Sequence, residues 1–241
     1  MPTNSTTLSI KLSELASSAQ RKFEDAGDYI WKSPRLIEHE MKLEKAKLKI
    51  YFKGYPDESK FQRFRWNHES HKLNHTFPYL IAVGNLLSIL SLFETYLLLL
   101  AVELQAHTTI TLNSSKGQGI NRIFNYLQTL CITLEQIPLY EQILAAIRIR
   151  NCLAHASGML SWSRDSHRLR IIQSKGLYLS REHRMMRTQQ GREFDEILIV
   201  NSKLGDRVSV NNQYCHLLCS YLNSFFFELC SSICNILCEQ A

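Results

Sequence analysis

The chain has 241 residues, 45% of them hydrophobic and 21% charged, which excludes a largely disordered protein and fits one large domain or a domain with an elaboration. A net charge of +6 and a pI near 8.9 permit an anionic partner without requiring one. Seven cysteines raise the question of disulfides or zinc, but Cys215/Cys219 and Cys230/Cys234/Cys238 repeat at i, i+4 within one apolar segment. That spacing predicts small side chains packed on a helix face, since a zinc centre draws ligand pairs from two places.

In chain order, Leu8 to Ser33 carries a helical stripe of Leu8, Leu12, Leu15, Ala16, Ala19, Phe23 and Ala26. Pro34 is expected to end it, with a second helix from Arg35 to about Lys53 completing a helical hairpin. Gly54-Tyr55-Pro56 makes a turn. Lys60 to Asn74 is polar and aromatic, and His68, His71 and His75 fall close together. Only Glu69 accompanies them at a matching spacing, so a hydrated helix face is expected and no metal.

Phe77 to Leu104 is the most apolar segment, and Thr76 to Phe93 has no formal charge. Its length suits a bilayer span. Asn85, Ser88, Ser91, Glu94 and Thr95 argue instead for the central helix of a bundle, and against a membrane, because Glu94 would be uncompensated in hydrocarbon. His107 to Gly119 is a polar loop whose Gly117-Gln118-Gly119 follows no strand and so makes no nucleotide fingerprint. Ile120 to Gln136 predicts another helix, with Ile120, Ile123, Phe124, Leu127 and Leu130 on its apolar face. Pro138 separates it from a helix that begins near Leu139 and stops at Gly158.

On that last helix, Ile143, Leu144, Ile147 and Leu153 form the apolar frame, and Arg148, Arg150, Asn151 and His155 are its polar groups. Arg148, Asn151 and His155 share one face, whereas Arg150 lies about 140° from His155 and must reach round. The stretch Arg150-Asn151-x-x-x-His155 resembles the Arg-x(4–6)-His signature of the HEPN superfamily, all-helical domains that include many metal-independent RNases. The preceding order of long helix, loop, helix, turn and motif helix is similar to the HEPN bundle. The resemblance covers Phe77 to Gly158. It implies Arg150, Asn151 and His155 as catalytic residues, with Arg148 and Glu94 supporting them, no cofactor, and a homodimer that brings two motifs together. Solvated helix-end cations with a capping histidine remain the plain alternative.

After Gly158, alternation over Arg168–Ile172, Leu177–Leu179, Ile197–Val200 and Val208–Val210 predicts a small antiparallel β-element. Asn211 to Glu239 then closes the chain as a long helix. The expected architecture is mainly α: residues 1–75 as a helical extension on the core, and residues 76–241 as a HEPN-like domain with the β-element at about 160–210. From Met159 to Glu193, eight Lys or Arg face three carboxylates, an excess of +5 directly after the motif. Arg168, Arg170, Arg181 and Trp162 are therefore candidate RNA contacts, with Tyr178 a second candidate for stacking on bases.

The chemistry fits RNA, whose 2′-OH is an internal nucleophile. His155 suits the proton transfers, and the guanidinium of Arg150 suits the phosphate. The expected function is a metal-independent endoribonuclease, of the toxin or phage-defence kind, with RNA, a second copy and an antitoxin or regulatory protein as partners. No secretory signal is evident, so a cytoplasmic location is expected. The alternative from another class is a non-catalytic HEPN-like binding or dimerisation module. Ser157 stands where a related branch carries a modifiable Tyr, which leaves that mode of control without its acceptor.

Overall fold

Helix α1 runs unbroken from Asn4 to Tyr51, so Pro34 lies inside a helix and does not end one. A proline there leaves the carbonyl four residues back without its N–H donor. That carbonyl, of Ile30, accepts instead from Asn212 Nδ2 at 2.6 Å and from Ser33 Oγ at 2.9 Å. Asn212 Oδ1 in turn accepts from Asn85 Nδ2 at 2.7 Å. The expected hairpin break at Pro34 is therefore corrected. The chain reverses later, around Gly54 (φ +80°), and returns as α2 (Glu58–His71).

The computed structural model describes the backbone of residues 4–238 and the side chains of residues 7–236. A π-helical turn, Lys72–Thr76, joins α2 to the central helix α3 (Phe77–Gln105). After it come α4 (Gly119–Thr129), the motif helix α5 (Tyr140–His155), α6 (Ser166–Ser174) and α7 (Arg181–Gln189). Strands β1 (Ile197–Ser202) and β2 (Gly205–Val210) precede the closing helix α8 (Asn212–Cys238). Helix α4 is shorter than expected, and a separate 3₁₀ turn, Leu134–Gln136, follows it.

Helix α3 is the axis of the core. Leu90, Phe93, Leu97 and Leu100 are buried on it, and Phe93 packs edge-on against Phe225 of α8 with ring centroids 5.9 Å apart. The stripe Leu8, Leu12, Ala16, Ala19, Phe23 and Ile30 brings the first half of α1 into the same core. Burying each such large side chain is worth about 1.5–3 kcal/mol. Cys215, Cys219 and Cys230 are packed in this core as small side chains, and burial pushes each thiol up to about 12. The side chain of Cys238 and all of Glu239 lie outside the described residues.

The β-element is smaller than the alternation predicts. Among the described residues β1 and β2 form the one sheet, antiparallel, with Ile197 opposite Val210 and Ile199 opposite Val208. Arg168–Ile172 belongs to α6, because Leu169 and Ile172 are buried together at helical spacing while Arg168 and Arg170 are exposed. Leu177–Leu179 is a turn whose Leu177 and Leu179 carbonyls accept from Gln142 of α5 at 3.3 and 3.2 Å. Two stretches, Glu58–Gln105 and Asn212–Ile236, are long and apolar enough to cross a membrane, and half of each most apolar window is buried inside the fold.

Candidate active site

Helix α5 buries Ile143, Ile147, Ile149, Cys152 and Leu153, which fixes its rotation about its own axis. Arg150, Asn151 and His155 are thereby turned toward an open cleft of about 900 Å³. Glu94 of α3, the Gly117–Asn121 entry into α4, and Trp162 to Asp165 complete the lining. Arg148 is half-buried on α5 but is not part of the cleft.

Arg150 does reach round. Its Nη1 donates to Asn151 Oδ1 at 3.0 Å, and its Nη2 forms an ion pair with Glu94 Oε2 at 3.4 Å. Both partners of that pair are partly covered, at 21% and 29% exposure, so the guanidinium is oriented yet still open to the cleft. Glu94 also lies against Gly119, the first residue of α4, where an added Cβ would meet Glu94 Oε1 at 3.1 Å. Gly119 (φ +57°) thus provides both a left-handed backbone and room for the carboxylate.

His155 is the last residue of α5 and is exposed. The turn after it is tied down from two sides. Gly158 N–H donates to the Cys152 carbonyl at 2.9 Å, and Val208 N–H of β2 donates to the Gly158 carbonyl at 2.8 Å. A Cβ on Gly158 would meet the Val208 carbonyl at 3.1 Å, so the close hairpin contact requires glycine. Arg207 of β2 donates to the Ser157 carbonyl at 3.2 Å and to Tyr79 Oη of α3 at 2.5 Å, with its guanidinium over the Tyr79 ring. The hairpin therefore locks the turn that carries His155, a role that no spacing in the sequence announces.

Among the proposed RNA contacts, Trp162 lines the cleft and is 67% exposed. Arg168, Arg170 and Arg181 do not line it. Arg170 pairs with Asp206 at 2.7 Å, and Arg187 pairs with Glu196 and Asp195. The excess of positive charge after the motif is thus partly neutralised by carboxylates just beyond Glu193. Tyr178 is fully buried, donates to Glu196 Oε2 at 3.1 Å and cannot stack on a base. Arg164, Ser163, Asp165, Gln118 and Asn121 line the cleft unannounced. The one available signal for them was that Arg164 is the first cation after the motif.

Among the described residues no cluster of three or more His, Cys, Asp or Glu is placed to hold a metal ion. The rings of His71 and His75 lie beside each other, with centroids 5.0 Å apart. Compared with known proteins, the chain matches no family model, no curated protein and no solved structure.

Proposed function

We propose that the chain is a metal-independent endoribonuclease of the HEPN type, with toxin or phage-defence character, acting on RNA at the α5 cleft. The observation that carries this is the convergence of Arg150, Asn151 and His155 on one open cleft, with Arg150 already oriented by Asn151 and Glu94. His155 takes the proton of a 2′-OH, the 2′-oxygen attacks the adjacent phosphorus, and the 5′-oxygen leaves with a proton from a second acid. Arg150 holds the non-bridging oxygens as charge builds on them. One cleft offers one imidazole, and His155 of a second copy supplies the other in a twofold homodimer. Trp162 and Arg164 at the rim are placed to hold the flanking nucleotide. An antitoxin or regulatory protein would act by covering this cleft.

The test is cleavage of single-stranded RNA in EDTA by the purified chain. Products ending in 2′,3′-cyclic phosphate or 3′-phosphate are expected, and loss of at least a hundredfold in rate on His155→Ala. Activity that requires added divalent metal, or that survives His155→Ala, overturns the assignment. A fully active monomer by light scattering overturns the paired-histidine arrangement. Tight dimerisation without cleavage would favour a binding module.

A further inference from the structure

From Pro34 to Lys72 no residue is buried, although this span includes the last 18 residues of α1, the turn and all of α2. The α1 part of this arm, Pro34 to Tyr51, is about 27 Å long at the helical rise per residue. Its root touches the body near Met41, where Pro34 and Ile37 share a groove with Pro78 and Val210. Beyond that root, Lys45 to Asn67 carries seven Lys or Arg against Asp57 and Glu58, with Lys47 paired to Glu44 and Glu40 just before it. Exposed rings accompany these cations: Tyr51 at 69%, Tyr55 at 54%, Phe61 at 47% and Phe64 at 73%.

The two faces of α2 differ. Glu58, Gln62, Trp66, Glu69 and Ser70 are its half-buried side chains, and Trp66 takes the ammonium of Lys45 on its ring at 4.5 Å. At 100° per residue the opposite face carries Lys60, Phe61, Phe64 and His68, with Arg63 and Arg65 at its two edges. From Ser59 to His68 there is no carboxylate. Cations and rings are thus interleaved on one face. A helix lying on a lipid surface separates them, with rings and aliphatics on one side and charge on the other. Two copies of such an arm would face each other with like charges. Interleaved rings and cations match a single-stranded nucleic acid, whose bases stack while its phosphates pair.

We propose that this arm is a binding site for unpaired RNA, engaged through Phe64 and Phe61 as stacking platforms and through Lys60 and Arg65 as phosphate contacts. The RNA identity rests on the ribonuclease reading; the stacking and charge do not. The experiment is fluorescence anisotropy of a labelled oligouridine of about 16 nucleotides, titrated at several salt concentrations with the full chain carrying His155→Ala, which keeps the probe intact. Adding Phe64→Ala should weaken binding about tenfold with the salt slope unchanged. Adding Lys60→Ala with Arg65→Ala should weaken it and flatten the slope by about 0.7 for each cation removed. Circular dichroism should be unaltered, and Arg65→Glu alone gives the same test if the double variant misfolds.

Unchanged affinity and slope in these variants overturn the proposal. Loss of binding to phosphatidylserine-containing vesicles, with oligouridine binding intact, would assign the arm to a membrane surface. A fall from dimer to monomer mass, again with oligouridine binding intact, would assign it to a second copy. A wild-type chain that binds RNA through the arm but does not cut it leaves the arm standing and removes the ribonuclease reading.

Discussion

Arg150 has two neighbours of opposite character, the neutral amide of Asn151 and the carboxylate of Glu94. In the proposed reaction Asn151 would orient the guanidinium without opposing an incoming phosphate, whereas Glu94 would compete with it. Replacing Glu94 by Gln keeps an oxygen for the contact and removes the negative charge from the cleft. RNA affinity of the His155→Ala chain should then rise about fivefold, equivalent to about 1 kcal/mol for one charge at a partly solvated site. Weaker binding by Glu94→Gln, measured by the same anisotropy titration, would mean that the ion pair supports the binding geometry and does not rival the substrate.

Among elements, α1 shows where a local rule yields to a distant partner. Pro34 should end a helix, and it does not because two side chains, the neighbouring Ser33 and the distant Asn212, donate to the carbonyl it leaves open. Asn212, placed 182 residues after Ile30, donates to its carbonyl and accepts from Asn85. Asn212→Ala removes these two bonds, and a third to Ser33 Oγ at 3.2 Å, and leaves the buried amide of Asn85 without that acceptor. It should cost about 1–3 kcal/mol, read as a lower urea midpoint with an unchanged m-value. A smaller loss would mean that Ser33 alone satisfies the carbonyl. The same logic separates what was legible in the chain from what was not. The α5 frame and the i, i+4 cysteines follow local helical spacing and were legible. In Arg168–Ile172 the alternation of arginines hid the i, i+3 pair Leu169 and Ile172, and only packing chooses between the two periods. Glu94 as a support of the site came from the HEPN resemblance, not from any local spacing. The Arg207 clamp on Ser157 was not legible, because nothing local links a hairpin to a turn far upstream.

For the whole molecule, the buried thiols of Cys215, Cys219 and Cys230 make stability depend on alkaline pH. Their ordinary value is 9.0, and burial in the core pushes each up to about 12. Below about 9 both folded and unfolded chains hold these protons. Between about 9 and about 12 only the folded chain does, so deprotonation favours unfolding and stability falls as pH rises through that window. The fall should approach 1.4 kcal/mol per thiol for each pH unit. Urea midpoints measured near pH 8 and near pH 10.5 should differ accordingly, and Cys219→Ala should reduce the difference. Equal midpoints would show that the thiols reach solvent.

The pairing of α1 with α8 also bears on how the protein is made. The apolar stripe of α1 leaves the ribosome before α8, whose first residue, Asn212, is synthesised 182 residues after Ile30. At about 5–20 residues per second, that interval is roughly ten to forty seconds. During it, Leu12, Phe23 and Ile30 lack their α8 partners and are open to anything that binds apolar helices. A nascent chain paused before Asn212 would be a ready client for a chaperone. A substitution that slows its release would be felt as lost yield before any effect on the folded protein.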